Sequence, residues 1–392
     1  MIPLSVMVTN RATISQKIKG VYGRERPSRF SEPFRPVIFW NITYRCNLRC
    51  IHCYISASPD GMPGELDRGY MIRIADQLID LNPPLVTLTG GEPMVRKDFW
   101  DIAGRLRDGG LRIALSTNGT LITRESAEKL ARLGISYIGI SLDSPIPAIH
   151  NMFRGSSDAF KRAMDGIRNS IEAGLDVGLR MTITKLNISE APDLVKLARD
   201  IGVKRIAYYL LDLTGRGRSA VSIMPTRDQL RSFLDRLIEL SIEYSGDPEI
   251  VLVRGNFMGI YVADKISRSR EEFLSLLNMI SSQGDCGRKA ISIYPDGKVK
   301  PCQFIDWIDI GDLRIHTLKE ILTPDNPTLK TFLEIYRHLR GPRCSKCPFK
   351  LICGGGSRGR ALALTGDFWG DDPACIVDPD ELSAKWKLEA IS

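Results

Sequence analysis

The nine cysteines are the residues best placed to do chemistry, because they fall into two groups instead of being spread along the chain. Cys46, Cys50 and Cys53 stand in one short run, Cys-Asn-Leu-Arg-Cys-Ile-His-Cys-Tyr, and Cys286, Cys302, Cys344, Cys347, Cys353 and Cys375 crowd toward the C-terminus. A secreted disulfide scaffold is shorter and more evenly peppered, whereas thiols clustered at short spacing ligate metal in a reduced compartment. Three thiolates in one loop can hold a cube of iron and sulfur and leave one iron without a protein ligand; a cluster that only carries electrons takes four cysteines. An open coordination position is where a bound metal does chemistry. The same loop would also serve a zinc knuckle with His52 as fourth ligand. In the tail, Cys344-x2-Cys347-x5-Cys353 and the later Cys375 supply four thiols, enough to close a cluster or a zinc ribbon.

Positioning these thiols needs a rigid frame, and the sequence from 37 to about 245 predicts one. Apolar, β-rich runs at 37–44, 85–89, 112–117, 137–143, 177–184 and 205–211 read as strands buried on both faces of a parallel sheet. Between them Met71, Ile74, Ala75 and Leu78 recur at helical spacing, as do Phe160, Ala163, Met164 and Ile167, and Leu194, Leu197, Ala198 and Ile201. Strand–helix units joined by right-handed crossovers predict an α/β fold, a partial (β/α)6 TIM-like barrel, with a flat doubly wound sheet as the alternative. Residues 1–36 read as an irregular lead-in, 37–245 as the barrel and 246–285 as a helical connection. Residues 286–392 read as a small Cys-rich C-terminal domain stapled by metal, with a hairpin at Pro295–Gly297.

Composition narrows the class further. With 43% hydrophobic and 26% charged residues in 392, the chain has ample apolar material for a core, which excludes disorder as its dominant state. No run approaches the ~18 apolar residues of a membrane span. The N-terminal stretch lacks a secretory pattern, so a cytoplasmic protein with no membrane partner is expected. The net charge of +8 suits acidic partners such as phosphate or a polycarboxylate.

Functional loops of parallel α/β barrels sit at the carboxyl ends of the strands. The cysteine loop follows the first strand, Gly90-Gly91-Glu92-Pro93 the second and Asn118-Gly119 the third; Ser141-Leu142-Asp143 ends the fourth, and Arg180 lies in the fifth. Glycine at 90 and 91 lets backbone approach a ligand closely, and Glu92 can accept from an ammonium group. This shared placement argues against a nucleic-acid-binding module built from zinc knuckles and positive charge.

The C-x-x-x-C-x-x-C loop at Cys46–Cys53, the GGEP at 90–93 and the SLD at 141–143 resemble the radical S-adenosylmethionine (SAM) superfamily, over residues 37 to about 245. The resemblance implies a 4Fe-4S cluster on Cys46, Cys50 and Cys53, with SAM chelating the open iron. It implies that Gly90, Gly91 and Glu92 meet the SAM amino group and that Ser141 and Asp143 lie near its ribose or carboxylate; Asn118 and Arg180 join the cofactor-binding candidates by their place at the same strand ends. His52 stands where the family often has a larger aromatic. The implied chemistry is reductive: an electron from a flavodoxin- or ferredoxin-like donor reaches the sulfonium, the C–S bond breaks, and a 5′-deoxyadenosyl radical takes hydrogen from substrate.

The tail is similar to the SPASM-type (twitch-like) extension of that superfamily, an iron–sulfur domain. By this resemblance Cys344, Cys347, Cys353 and Cys375 ligate a second, auxiliary 4Fe-4S cluster. A further cluster would draw on Cys286, Cys302 and a cysteine four places after Cys353, where this chain has Ser357. A serine hydroxyl is a poor iron ligand, so one auxiliary cluster is expected, with Cys286 and Cys302 as free thiols or packing residues.

For the substrate, Tyr208 and Tyr209 precede Gly215-Arg216-Gly217-Arg218, and Arg358 and Arg360 follow Gly354-Gly355-Gly356. A Gly-Arg-Gly turn offers N–H groups and guanidinium together, an arrangement for carboxylate or phosphate. These segments resemble the radical SAM proteins of tetrapyrrole biosynthesis on the siroheme branch, where didecarboxysiroheme is deacetylated. That implies an iron-tetrapyrrole substrate losing acetate or propionate arms, with no nucleic-acid partner. The competing reading is a SPASM-type maturase that crosslinks peptides or oxidises a sulfatase residue.

Overall fold

The structure is a computed structural model and describes residues 1–11, 31–280 and 285–388. Its frame is a run of parallel strands, β1 (Val37–Asn41), β2 (Val86–Thr89), β3 (Ile113–Thr117), β4 (Tyr137–Ser141), β5 (Val177–Ile183), β6 (Arg205–Leu210) and β7 (Glu249–Val253). Each pairs with the next in order, from Ile38 opposite Val86 to Tyr209 opposite Val253. Alternation along the strands separates two faces. Ile138, Ile140, Leu179 and Met181 are fully buried in the core, which leaves Gly139, Ser141, Gly178, Arg180 and Thr182 on the other face of β4 and β5. A fully buried Leu or Ile contributes about 1.5–3 kcal/mol, so the apolar face stabilises the sheet while the inner face is free to be polar.

The covering helices follow the same logic. The helix Arg68–Leu81 starts where the Asp67 carboxylate accepts from the Tyr70 amide at 2.9 Å and stops at Asn82, held in the left-handed region at φ 49°. It buries Met71, Ile74, Ala75 and Leu78, the four residues whose spacing predicted it. No helix among the described residues is long and apolar enough to cross a membrane.

The expected boundaries need three corrections. Residues 246–285 contain β7 as well as helices, because Glu-Ile-Val-Leu-Val is a buried strand of only five residues. The tail does not form a separate sheet: β8 (Ala290–Ile293) adds in parallel to the free edge of β1, and β9 (Lys298–Lys300) and β10 (Gly311–Asp312) continue antiparallel, so the sheet has ten strands. The β8–β9 turn is the predicted hairpin, with the Gly297 amide donating to Tyr294 O at 3.0 Å. The lead-in also begins ordered: Leu4–Thr9 is a helix, and Ile2 exchanges two backbone hydrogen bonds with Leu252, covering the outer edge of β7. The rest of the lead-in, from 12 to 30, lies outside the described residues.

Candidate functional site

The cysteine loop leaves β1 at the carboxyl end of the sheet and is held from three sides. From β2, Gly91 N donates to Thr43 O and Glu92 N to Arg45 O, both at 2.8 Å. Gly90, at φ 138°, and Gly91 are obligatory here: a Cβ at 91 would stand 2.1 Å from Arg45 O. From the segment after β6, Arg216 N donates to Cys53 O and Arg216 Nε to Cys50 O, each at 2.9 Å. From the helix Pro147–Arg154, the terminal carbonyls of Phe153 and Arg154 accept from Ile51 and Arg49, at 3.0 and 3.3 Å.

Within that clamp Cys46 and Cys50 are buried and Cys53 half-buried. Every sulfur has a donor: Leu48 N at 3.4 Å and Asn118 Nδ2 at 3.8 Å on Cys46, Arg154 Nη1 at 3.6 Å on Cys50, and Ala57 N at 3.3 Å on Cys53. Burial, with a smaller push from Glu92, raises the Cys46 thiol to about 12. Glu92 is buried and accepts from Thr117 Oγ1 and Asn118 N at 2.8 Å and from Met94 N at 3.2 Å; burial still lifts its carboxyl to about 7.

Asp143 is fully buried beneath the loop. Its carboxylate pairs with Arg154 Nη2 at 2.7 Å, stands 3.5 Å from His52 Nε2, and accepts from Thr182 N at 3.0 Å. Burial opposes its ionisation, but the Arg154 guanidinium outweighs that and holds the carboxyl below its usual range. Burial drives His52 down to about 4, so its imidazole is neutral at pH 7. Arg180 lies half-buried on the inner face among Ser116, Tyr137 and Tyr209, and a Cβ on Gly139 would stand 2.1 Å from its Nε.

In the tail Cys344, Cys347, Cys353 and Cys375 line one cavity, closed on the apolar side by Phe257 and Ile260. Main-chain N–H groups of Phe349 and Val377 lie against Cys347 and Cys375. Among the described residues no three Cys, His, Asp or Glu side chains are gathered around a point fit for one metal ion. A cube places each thiolate on a different iron, so its ligands stand farther apart than the four around one zinc. Buried or half-buried thiols with N–H donors on sulfur in both places suit iron–sulfur clusters.

The pattern of the radical SAM superfamily matches residues 40–198, and that of an iron–sulfur cluster-binding domain, SPASM, matches 285–348. The Fe-coproporphyrin III synthase of Methanosarcina barkeri is 35% identical over 92% of this chain and 94% of that one. This chain belongs to the radical SAM superfamily. Also similar are the pre-heme d1 synthase of Dinoroseobacter shibae, 33% identical over 91% of this chain and 90% of that one, and, in fold, Streptococcus suis SuiB bound to S-adenosylmethionine. The SuiB match has a TM-score of 0.67 at 17% identity over 87% of this chain and 77% of that one. The protein is therefore a radical SAM enzyme that uses a 4Fe-4S cluster and SAM and carries auxiliary iron–sulfur in its SPASM domain.

Several residues of this radical SAM enzyme have partners that the sequence did not reveal. Asp143, expected near SAM, pairs with Arg154. The amides of Gly91 and Glu92 are spent on the cysteine loop. Tyr208 is core, packed edge-on against Phe233 with its hydroxyl on Ala191 O. The Gly215–Gly217 turn clamps Cys50 and Cys53 and does not face outward as an anion cradle. Arg360 is fully buried against Asp372, and Arg358 donates to Phe368 O and Gly370 O, so neither faces a substrate. Cys286 and Cys302 are joined as a disulfide with Cα atoms 4.9 Å apart, correcting the expectation of free thiols. Beside it Arg254 pairs with Asp212, and Ser357 Oγ donates to Asp212 at 2.8 Å, so an ionic network stands where a third cluster would need a ligand. His52, read from the sequence as a possible zinc ligand, instead faces Asp143; Arg154, eleven residues after Asp143, was not singled out, because nothing in the spacing marks a lone arginine at a helix end as a partner of Cys50.

Proposed function

We propose that the enzyme acts on an iron tetrapyrrole in heme biosynthesis and removes carboxylated side chains from it. The observation that carries this is the 35% identity to an Fe-coproporphyrin III synthase along almost the whole of both chains. The arginines at 358 and 360 lend it no support, since both are occupied inside the protein, and Arg216 spends its Nε on Cys50 O. In this reading Cys46, Cys50 and Cys53 hold the SAM-binding cluster, and Cys344, Cys347, Cys353 and Cys375 hold the auxiliary one. When bound, the first cluster with SAM supplies a 5′-deoxyadenosyl radical for hydrogen abstraction. The chain contributes positioning and exclusion of water: three elements pin the cysteine loop, and Glu92 fixes Thr117 and Asn118 beneath it. Gly90, Gly91, Glu92, Asn118, Ser141, Asp143 and Arg180 are the candidates for contact with SAM, and Arg180 brings a guanidinium among tyrosines to the inner face of the barrel. The electron enters from a flavodoxin- or ferredoxin-like donor.

The test is anaerobic turnover of the reconstituted, reduced protein with SAM and didecarboxysiroheme. The expected result is substrate-dependent 5′-deoxyadenosine and a macrocycle lighter by its lost arms. An unchanged macrocycle mass, with turnover of a precursor peptide instead, replaces this reading by the peptide maturase.

A further inference from the structure

We propose that Arg154 sets the reduction potential of the first cluster through a charged N–H···S bond to Cys50, and that Asp143 is the anchor that aims it. The proposal rests on the assignment of that cluster to Cys46, Cys50 and Cys53 and is independent of the substrate.

Of the four hydrogen bonds to the loop sulfurs among the described residues, three come from neutral amides, those of Leu48, Ala57 and the Asn118 side chain. The fourth is a guanidinium, Arg154 Nη1 to Cys50 Sγ at 3.6 Å. A cation donating to a ligand sulfur stabilises the form carrying the extra electron, so it raises the potential. Burying that cation alone would be costly; paired with Asp143 it is tolerated. The pair is neutral as a whole, yet oriented: Nη2 meets the carboxylate at 2.7 Å and Nη1 meets the sulfur, so the positive end faces the cluster.

The orientation is fixed from behind. Asp143 Oδ1 accepts from Thr182 N at 3.0 Å, its backbone N donates to His150 Nδ1 at 3.1 Å, and its carbonyl accepts from Asn187 Nδ2 at 2.8 Å. Arg154 is also the last residue of its helix, and its carbonyl and that of Phe153 receive the amides of Arg49 and Ile51. The negative end of that helix therefore points at the cysteine loop, where by itself it would disfavour reduction. The guanidinium at the same terminus opposes that field.

The experiment uses the reconstituted holoenzyme labelled with guanidino-15N arginine. In the reduced protein, the electron-spin signal that shifts on adding SAM marks the first cluster; pulsed measurements on it should show a 15N coupling that vanishes in Arg154→Gln. Potentiometric titration of the same signal, measured before SAM is added, should move to more negative potential in Arg154→Gln and by a smaller step in Asp143→Asn. If Arg154→Gln does not assemble a cluster, the wild-type coupling and the Asp143→Asn titration decide. A wild-type cluster with no arginine coupling, an unmoved potential, or a loss confined to SAM affinity overturns the proposal. A wild-type protein with no SAM-responsive cluster removes the assignment on which it stands.

Discussion

The two sulfur-rich regions use the same residue type for different ends. The loop at 46–53 brings three thiols within one turn of chain, sits at the carboxyl end of β1, and borrows its rigidity from β2, the segment after β6 and a helix terminus. The tail spreads four thiols from 344 to 375 around one cavity, closed by its own main chain and by Phe257 and Ile260 of the preceding helix Asn256–Ile266. The first site, one thiol short, depends on three other elements for its shape, whereas the second draws all four thiols from one segment and borrows only an apolar wall from a neighbouring helix. On the proposed ligand sets, that difference separates an open cluster, able to take SAM, from a fully ligated one suited to electron relay or structure.

The comparison is broken most directly by Cys50→Ala. Formation of 5′-deoxyadenosine should fall to background while about four irons, one cube, stay bound in the tail; loss of all iron would mean that the two regions are not independent. Cys347→Ala is the converse: the SAM-responsive spin signal survives and product formation is lost. Gly91→Ala tests whether the first site depends on its neighbours. The new methyl meets Arg45 O, so the loop should shift, iron in the first site should fall, and stability should drop by about 1–3 kcal/mol, read by thermal unfolding.

A smaller effect belongs to Glu92. Its folded value of about 7 lies above the ordinary 4.5, because burial favours the protonated form. The folded state therefore binds more protons than the unfolded one between those values, and stability falls as pH rises from about 4.5 to about 7. Glu92→Gln should flatten that part of the profile of melting temperature against pH. The smallest change is expected from Ser357→Cys: with Arg254 and Asp212 filling the space, iron should stay near two cubes per chain.

Much of the frame was legible because it is local. Strands 37–44 through 205–211 announce themselves by short apolar runs, and the helix face at Met71, Ile74, Ala75 and Leu78 by spacing alone. β7 was hidden in a stretch dominated by helical residues, and β8 gains its place by pairing with β1, some 250 residues earlier. The arginines were the least readable part. Arg216, Arg358 and Arg360 look like anion binders in a Gly-rich sequence, and the fold directs Arg216 Nε to Cys50 O, Arg358 to two carbonyls and Arg360 to Asp372.

The chain's own order of residues determined how many sulfurs each site receives and which strand end carries the first, since ligand spacing and apolar periodicity act over a few positions. Tertiary structure decided what surrounds those sulfurs: that Asp143 serves Arg154, that Arg154 reaches Cys50, and that Ser357 belongs to Asp212, 145 positions away. Such partnerships depend on which loops the barrel brings together at one end. A charged side chain buried there takes whatever counter-charge or donor lies within a few ångströms, and no short-range pattern encodes that neighbour.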